Sequence, residues 1–387
     1  MSDTATMTDA RLAYVQQTPV DPLPPPARLS GPIGWMRDNL FSSWFNIGLT
    51  IAFVALIAWL VPPLVKFMLI DAVWDGASRV DCLPRPEHPE VGACWAFVIE
   101  RIPFITYGFY PADQRWRVDL FFCLLAFGIV WILWLDAPRR DLGMVYSFVV
   151  LPIVSFVLLH GFEFLGLPAI ETSSWGGIMV TIVVAAVGIA VSLPLGILLA
   201  LGRRSEMPVV RMMSVLFIEF VRGVPLITVL FMASLMLPLF VPESLSPDKL
   251  MRALVGVALF SSAYMAEVVR AGLQAIPKGQ FEAAMAVGLS YWKSMRLIVL
   301  PQALRVTIPN IVSSYIGLFK DTTLVFVVGI FDFLRAIEAA RIDPNWATPV
   351  TSTTGYAFAA MFYFIFCYSM ARYARFVEAR LAAGDKR

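Results

Sequence analysis

Long apolar runs constrain this chain more than any other feature of its sequence. A helix needs roughly 20 predominantly apolar residues to cross a bilayer. Runs of about that length recur at 44–61, 118–135, 144–160, 176–201, 223–241, 253–269, 306–333 and 355–371. The sixth is short, and charges interrupt the seventh. Of the 387 residues 59% are hydrophobic and only 15% charged, against about 45–50% apolar and about 25% charged in a soluble domain. The sequence therefore predicts an all-α integral membrane protein with about eight transmembrane helices.

Residues 1–43 are polar and Pro-rich ("DPLPPPARLSGPIG"). They lack a basic start followed by an apolar stretch and a small-residue cleavage site, so they predict a disordered tail rather than a cleavable signal peptide. Lys and Arg placement sets orientation. With both termini inside, 18 of the 30 basic residues fall on inner segments and ten on outer ones, five of those ten in the long loop 71–117. This asymmetry predicts cytoplasmic termini. Cys82 and Cys94 then lie in an outer loop, where a disulfide can persist; a bonded pair and two separate thiols both remain open. Cys123 and Cys367 sit inside apolar runs and read as small core residues.

The inner segment 281–304, "FEAAMAVGLSYWKSMRLIVLPQAL", is unusually regular for a loop. Helix formers lead to Gly288, which suits the left-handed residue closing a helix. Ser290 is placed to cap a second helical turn. Pro301 is expected to end that turn, because proline disfavours helical geometry in the residue before it. Ala283 and Ala284 would let a partner approach closely. These residues alone are compatible with a bent cytoplasmic element or with an amphipathic anchor at the interface.

Glu282-Ala283-Ala284, then Gly288, then Ile298-x-Leu300-Pro301 matches the EAA signature of membrane subunits of ABC importers. The flanking stretches "AYMAEVVRAGLQAIPKGQFEAAMAVGLS", "FVRGVPLI" and "LFKDTTLV" resemble the polar amino acid permeases. The eight-span plan, "GPIGWMRDNLFSS" and "GFYPADQRWRV" resemble the M-type permease of general L-amino acid importers. The resemblance implies a type I importer core at 161–387, with a cytoplasmic coupling loop at 271–305. Ahead of it would lie a three-helix extension at 44–160 and the cytoplasmic tail at 1–43. It further implies a bacterial inner-membrane permease subunit of an ATP-driven L-amino acid importer. Its partners would be a homologous second permease, two ATPase subunits, a periplasmic amino acid-binding protein and membrane lipid, with no nucleic acid involved. Glu282, Ala283, Ala284, Gly288, Ile298, Leu300 and Pro301 would couple the chain to an ATPase. ATP and Mg would be bound by that partner, since "GLSYWKS" lacks the glycine spacing of a phosphate loop. An ion-coupled secondary carrier and a non-transporting membrane scaffold are the competing readings.

Ionisable residues at membrane depth are costly and mark functional candidates. Glu219 and Arg222, and likewise Glu267 and Arg270, are three apart and so can pair along a helical face. Lys320 and Asp321 are adjacent, point about 100° apart, and are followed by Thr322 and Thr323. As an amino acid is a zwitterion, Lys320, Asp321 and Thr322 are the leading substrate-path candidates. For Lys320 and Asp321 the alternative is a structural charge satisfied by the partner subunit or by Glu267. Glu219 and Arg222 read first as an intrasubunit lock or gate support, and Glu267 and Arg270 as structural residues leading into the coupling loop; Glu267, Arg222 and Glu219 are secondary substrate-path candidates. Gly223 and Pro225 predict a bent helix entry; Pro194 and Pro309 predict kinks. His88 and His160 have no metal-ligand company. No nucleophile–base pair, catalytic carboxylate pair or metal-ligand spacing is present, so an enzymatic site is not expected.

Overall fold

The structure, a computed structural model, describes residues 31–384 except 87–88, 135 and 243–245. Most of the predicted tail and His88 therefore lie outside the described residues. The chain divides into two compact units, Met1–Phe67 and Met68–Arg387.

The first unit contains α1 (Pro32–Asn39) and α2 (Trp44–Val65). Ser43 starts α2 by accepting the Asn46 N–H at 3.2 Å. Thr50 folds the preceding turn back by donating to Leu40 O at 2.9 Å.

The second unit holds α3 (Trp95–Tyr107), α4 (Arg115–Leu133), α5 (Arg140–His160), α6 (Gly177–Arg203), α7 (Pro208–Arg222) and α8 (Leu226–Phe240). It continues with α9 (Lys249–Ala275), α10 (Lys278–Ala286), α11 (Tyr291–Val328), α12 (Phe333–Arg341) and α13 (Pro349–Gly384). Seven described helices are long and apolar enough to span a membrane, or eight if the bent pair α7–α8 counts as one span. All eight sequence-predicted runs overlap these helices. The seventh run begins earlier than expected, because α11 starts at Tyr291 rather than near 306.

Pro301 does not end a helix as the sequence suggested. Leu151-Pro152, Leu237-Pro238 and Leu300-Pro301 each directly follow a five-residue π turn, at Tyr146–Val150, Met232–Met236 and Met295–Val299. A proline ring collides with the carbonyl four residues earlier, and in all three cases that carbonyl lies in the widened turn. The π geometry thus lets the helix run through its proline. Pro194 and Pro309 are likewise passed within α6 and α11.

α9 is the centre of the unit. Its inner face meets α6 along Gly196, where an added Cβ would sit 2.8 Å from the Met265 Cβ. Further down, an added Cβ at Gly272 would lie 2.6 Å from the Ala303 carbonyl of α11. Such close approach of backbones is how helices associate in lipid, where apolar side chains gain little by leaving a hydrocarbon solvent. Val118, Phe121, Leu158 and Leu159 of α4 and α5 join Val180, Val184, Leu254 and Val257 of α6 and α9 in one buried cluster.

The loop before α4 contains a helix that the apolar runs did not reveal. Cys94, the N-cap of α3, is disulfide-bonded to Cys82. The loop is fastened to α12 and the segments around it: Arg101 pairs with Asp343, the Arg79 N–H donates to Asn345 O at 2.8 Å, and the Cys94 N–H donates to Thr354 Oγ1 at 3.0 Å. Asp332 caps α12, accepting the Leu334 and Arg335 N–H groups at 3.2 and 3.0 Å. His160 is structural: its ring stacks on Phe156 at 5.3 Å and its Nδ1 lies 3.2 Å from Ile170 O.

Candidate functional site

Three features lie in series along the same helices: an exposed elbow, a knot of charges and a cavity.

The elbow is α10, a tight turn and the start of α11. Gly288 has φ 78°, and an added Cβ there would meet no other atom within 4 Å. Glycine is favoured at this position by the sign of φ rather than by crowding. The Gly288 N–H donates to Met285 O at 2.9 Å, and the Leu289 N–H to Ala284 O at 3.1 Å. Together these make the paired bonds of a Schellman closure. Ser290 occupies the next N-cap in an extended conformation, but its side chain makes no capping bond, contrary to the sequence reading. Ala284 is also not available to a partner: it is buried within the elbow, while Glu282 and Ala283 are exposed. The tip presents Met285, Val287, Tyr291 and Trp292, all exposed. Of the remaining signature positions, Ile298 and Leu300 are half-buried and Pro301 is exposed.

The charge knot joins α6, α7 and α9. Glu219 does not pair with Arg222 as its spacing suggested; its Oε1 accepts from Arg203 Nη1 at 2.7 Å. Glu267 is the hub. Its Oε1 accepts from Arg270 Nε at 2.8 Å, and its Oε2 lies 3.7 Å from both Arg203 and Arg222. Five charged groups thus converge, three guanidiniums and two carboxylates, leaving one net positive charge. Glu267 and the three arginines are half-buried, so their attraction is screened less than that of fully solvated pairs. Arg204 ties this knot to the elbow. Its guanidinium lies over the Phe281 ring at 5.5 Å and donates to Leu273 O at 3.3 Å.

The broken span bends by 107° between α7 and α8, where Gly223 and Pro225 predicted a bent entry. Arg222, the last residue of α7, lies over the Tyr264 ring at 5.7 Å. Tyr264 in turn lines a cavity of about 260 Å³ between α6, α9 and α11. Among its described lining residues, Asp321 contributes the only carboxylate, and Ser192, Ser261, Ser314 and Tyr315 contribute hydroxyls. Lys320 diverges from Asp321 as adjacent helical residues must. It is exposed and outside the cavity lining, and none of the ion pairs among the described residues involves it or Asp321. Glu267 cannot serve as its counter-ion, being engaged by three arginines. Thr322 is buried and donates to Phe319 O at 2.8 Å.

Sequence reasoning missed Arg203 and Arg204, which looked like ordinary inner-loop charges. It also missed Tyr264, whose only signal was its position three residues before Glu267 on one helical face. The cavity serines and Tyr315 carried no distinguishing pattern.

Residues 192–383 match the family model described as binding-protein-dependent transport system inner membrane component. The inner membrane amino-acid ABC transporter permease protein YhdY of Escherichia coli is 51% identical, over 90% of this chain and 93% of its own length. The glutamate/glutamine/aspartate/asparagine transport system permease protein BztC of Rhodobacter capsulatus is 38% identical, over 98% of this chain and 99% of its own. A crystal structure of an amino acid ABC transporter with histidines is 25% identical over 53% of this chain and 92% of its own, with a TM-score of 0.46.

Proposed function

This chain belongs to the amino-acid ABC transporter permeases, inner-membrane components of binding-protein-dependent transport, and from that premise we propose how its parts divide the work. Family membership removes the ion-coupled carrier and scaffold readings. The permease core, 161–387, carries an L-amino acid across the membrane together with a homologous second permease. The elbow within 271–305 seats in a separate ATPase subunit, one of two, which binds ATP and Mg. A periplasmic binding protein delivers the substrate, and both termini of this chain are cytoplasmic. The bonded Cys82–Cys94 loop then lies on the oxidising side, which supports that orientation.

The observation that carries this reading is the elbow itself. A Schellman turn fixes the angle between α10 and α11, and Ala284 is packed inward. Glu282, Ala283 and the apolar tip are thereby held outward on a rigid corner. Exposed apolar side chains beside a charge suit a protein partner. Asp321 provides the carboxylate in the cavity, and an amino acid's ammonium group is its natural counter-charge. Lys320 lies on the exposed face of α11, outside that cavity. Thr322 is spent on its own helix and has a structural role.

Glu282→Lys tests the coupling assignment. In the assembled complex reconstituted with ATPase and binding protein, uptake is expected to fall at least tenfold while the permease remains folded in the membrane. Uptake at the wild-type rate would remove the elbow from the coupling step.

A further inference from the structure

The charge knot and the cavity are joined by one side chain, and the chemistry of that junction is unfinished. Arg222 approaches Glu267 Oε2 at 3.7 Å, an ion-pair distance rather than a hydrogen bond. Arg222 Nε is buried and has no hydrogen-bond partner; Glu267 Oε2 is buried and has none either. A buried donor and a buried acceptor without partners are each costly, and buried polar groups are overwhelmingly satisfied in folded proteins. Here the two belong to the same ion pair. The 3.7 Å contact is made by Arg222 Nη1; shortening it by about 1 Å brings it to ordinary hydrogen-bond length and would satisfy Glu267 Oε2.

Arg222 is also well placed to transmit such a movement. It is the last residue of α7, at the 107° bend of the broken span. Its guanidinium lies over the ring of Tyr264, which forms part of the cavity wall with Phe260, a ring neighbour at 4.9 Å. On the other side, contacts run from Glu267 to Arg203 and from the adjacent Arg204 to Phe281 on the elbow. The contact series from elbow to cavity is therefore continuous. Arg203 and Arg222 both stand 3.7 Å from Glu267 Oε2, but Arg203 Nη1 already donates to Glu219, which leaves Arg222 as the one with a hydrogen bond to gain.

We propose that Arg222 is a positioning residue for transport: in a second state of the permease it closes onto Glu267, and by doing so it moves the Tyr264 wall of the cavity in step with the elbow. The proposal rests on the reading of the elbow as the ATPase seat and of the cavity as the substrate path. Arg222 acts through Tyr264 and does not itself line the cavity. The test reads coupling directly.

The readout is amino acid taken up per ATP hydrolysed, measured with the full complex in vesicles. Arg222→Gln is expected to lower this ratio at least fivefold. Arg222→Lys, which keeps the charge for both the carboxylate and the ring, is expected to recover at least half of it. Glu267→Gln, a change of charge with little change of volume, is expected to reproduce the Arg222→Gln loss even if that variant assembles poorly. Tyr264→Leu combined with Arg222→Gln is expected to cost no more than the worse single change, because both break one link. A wild-type ratio in Arg222→Gln or Glu267→Gln would overturn the proposal. So would an Arg222→Lys variant no better than Arg222→Gln, or losses that multiply in the double variant. Asp321→Asn measured alongside separates the two readings: normal uptake there would remove the cavity assignment, whereas the Arg222 ratios would still decide the coupling.

Discussion

At the scale of single residues, adjacency in sequence and neighbourhood in space part company. Lys320 and Asp321 are consecutive, yet one is exposed and the other lines the cavity. That divergence was legible from helical geometry alone. The pairing of Glu219 was not, because i,i+3 spacing only permits an ion pair, and Arg203 from another helix reaches the carboxylate first. Gly288 was legible for a physical reason: few residues other than glycine take its backbone angle cheaply. Asp321 is the residue on which the substrate assignment turns. Asp321→Asn keeps the volume and removes the charge that would meet an ammonium group. A hydrogen bond to a charged group is worth about 1.5–3 kcal/mol, so the apparent affinity for substrate is expected to fall about ten- to a hundredfold. Uptake titrations on assembled complex check this, and unchanged kinetics would take Asp321 out of the path.

At the scale of elements, apolar runs located every span but not every helix. α3 and α12 are only 13 and 9 residues long, so a search for bilayer-length segments passes over them. Helix boundaries failed at prolines for one reason. The local rule that proline stops a helix ignores the π turn, which costs one extra residue and spares the clash, as at Leu300-Pro301. The outer loop also depends on a covalent tie. Closing a loop of the Cys82–Cys94 length removes about 3 kcal/mol of chain entropy from the unlinked state. Reduction, or Cys82→Ala, is therefore expected to loosen residues 71–94 and speed their proteolysis from the outer side, with the spans left intact. A digestion time course with and without reductant reads this directly. Equal rates would mean that Arg101–Asp343 and the backbone bonds to Asn345 and Thr354 hold the loop unaided.

At the scale of the whole molecule, the number of spans, their order and the elbow between α9 and α11 are all legible in the sequence. The joint between elbow and cavity is not. It is assembled from charges of α6, α7 and α9 between positions 203 and 270, with Phe281 of α10, and no local pattern reports which of them meet. Within Met68–Arg387, α4 and α5 share a buried cluster with α6 and α9, so the segments preceding the proposed permease core contribute to its packing. The central claim is that nucleotide-driven motion of a separate ATPase enters this chain at the exposed corner formed by α10 and α11. Cross-linking from Met285→Cys at that corner, in a complex carrying cysteines on the ATPase surface, tests it most directly. Efficient cross-linking to the ATPase is expected, with a yield that changes when ATP is bound. A Met285→Cys thiol that fails to reach any ATPase subunit, or that is labelled only by reagents confined to the outer side, would contradict it.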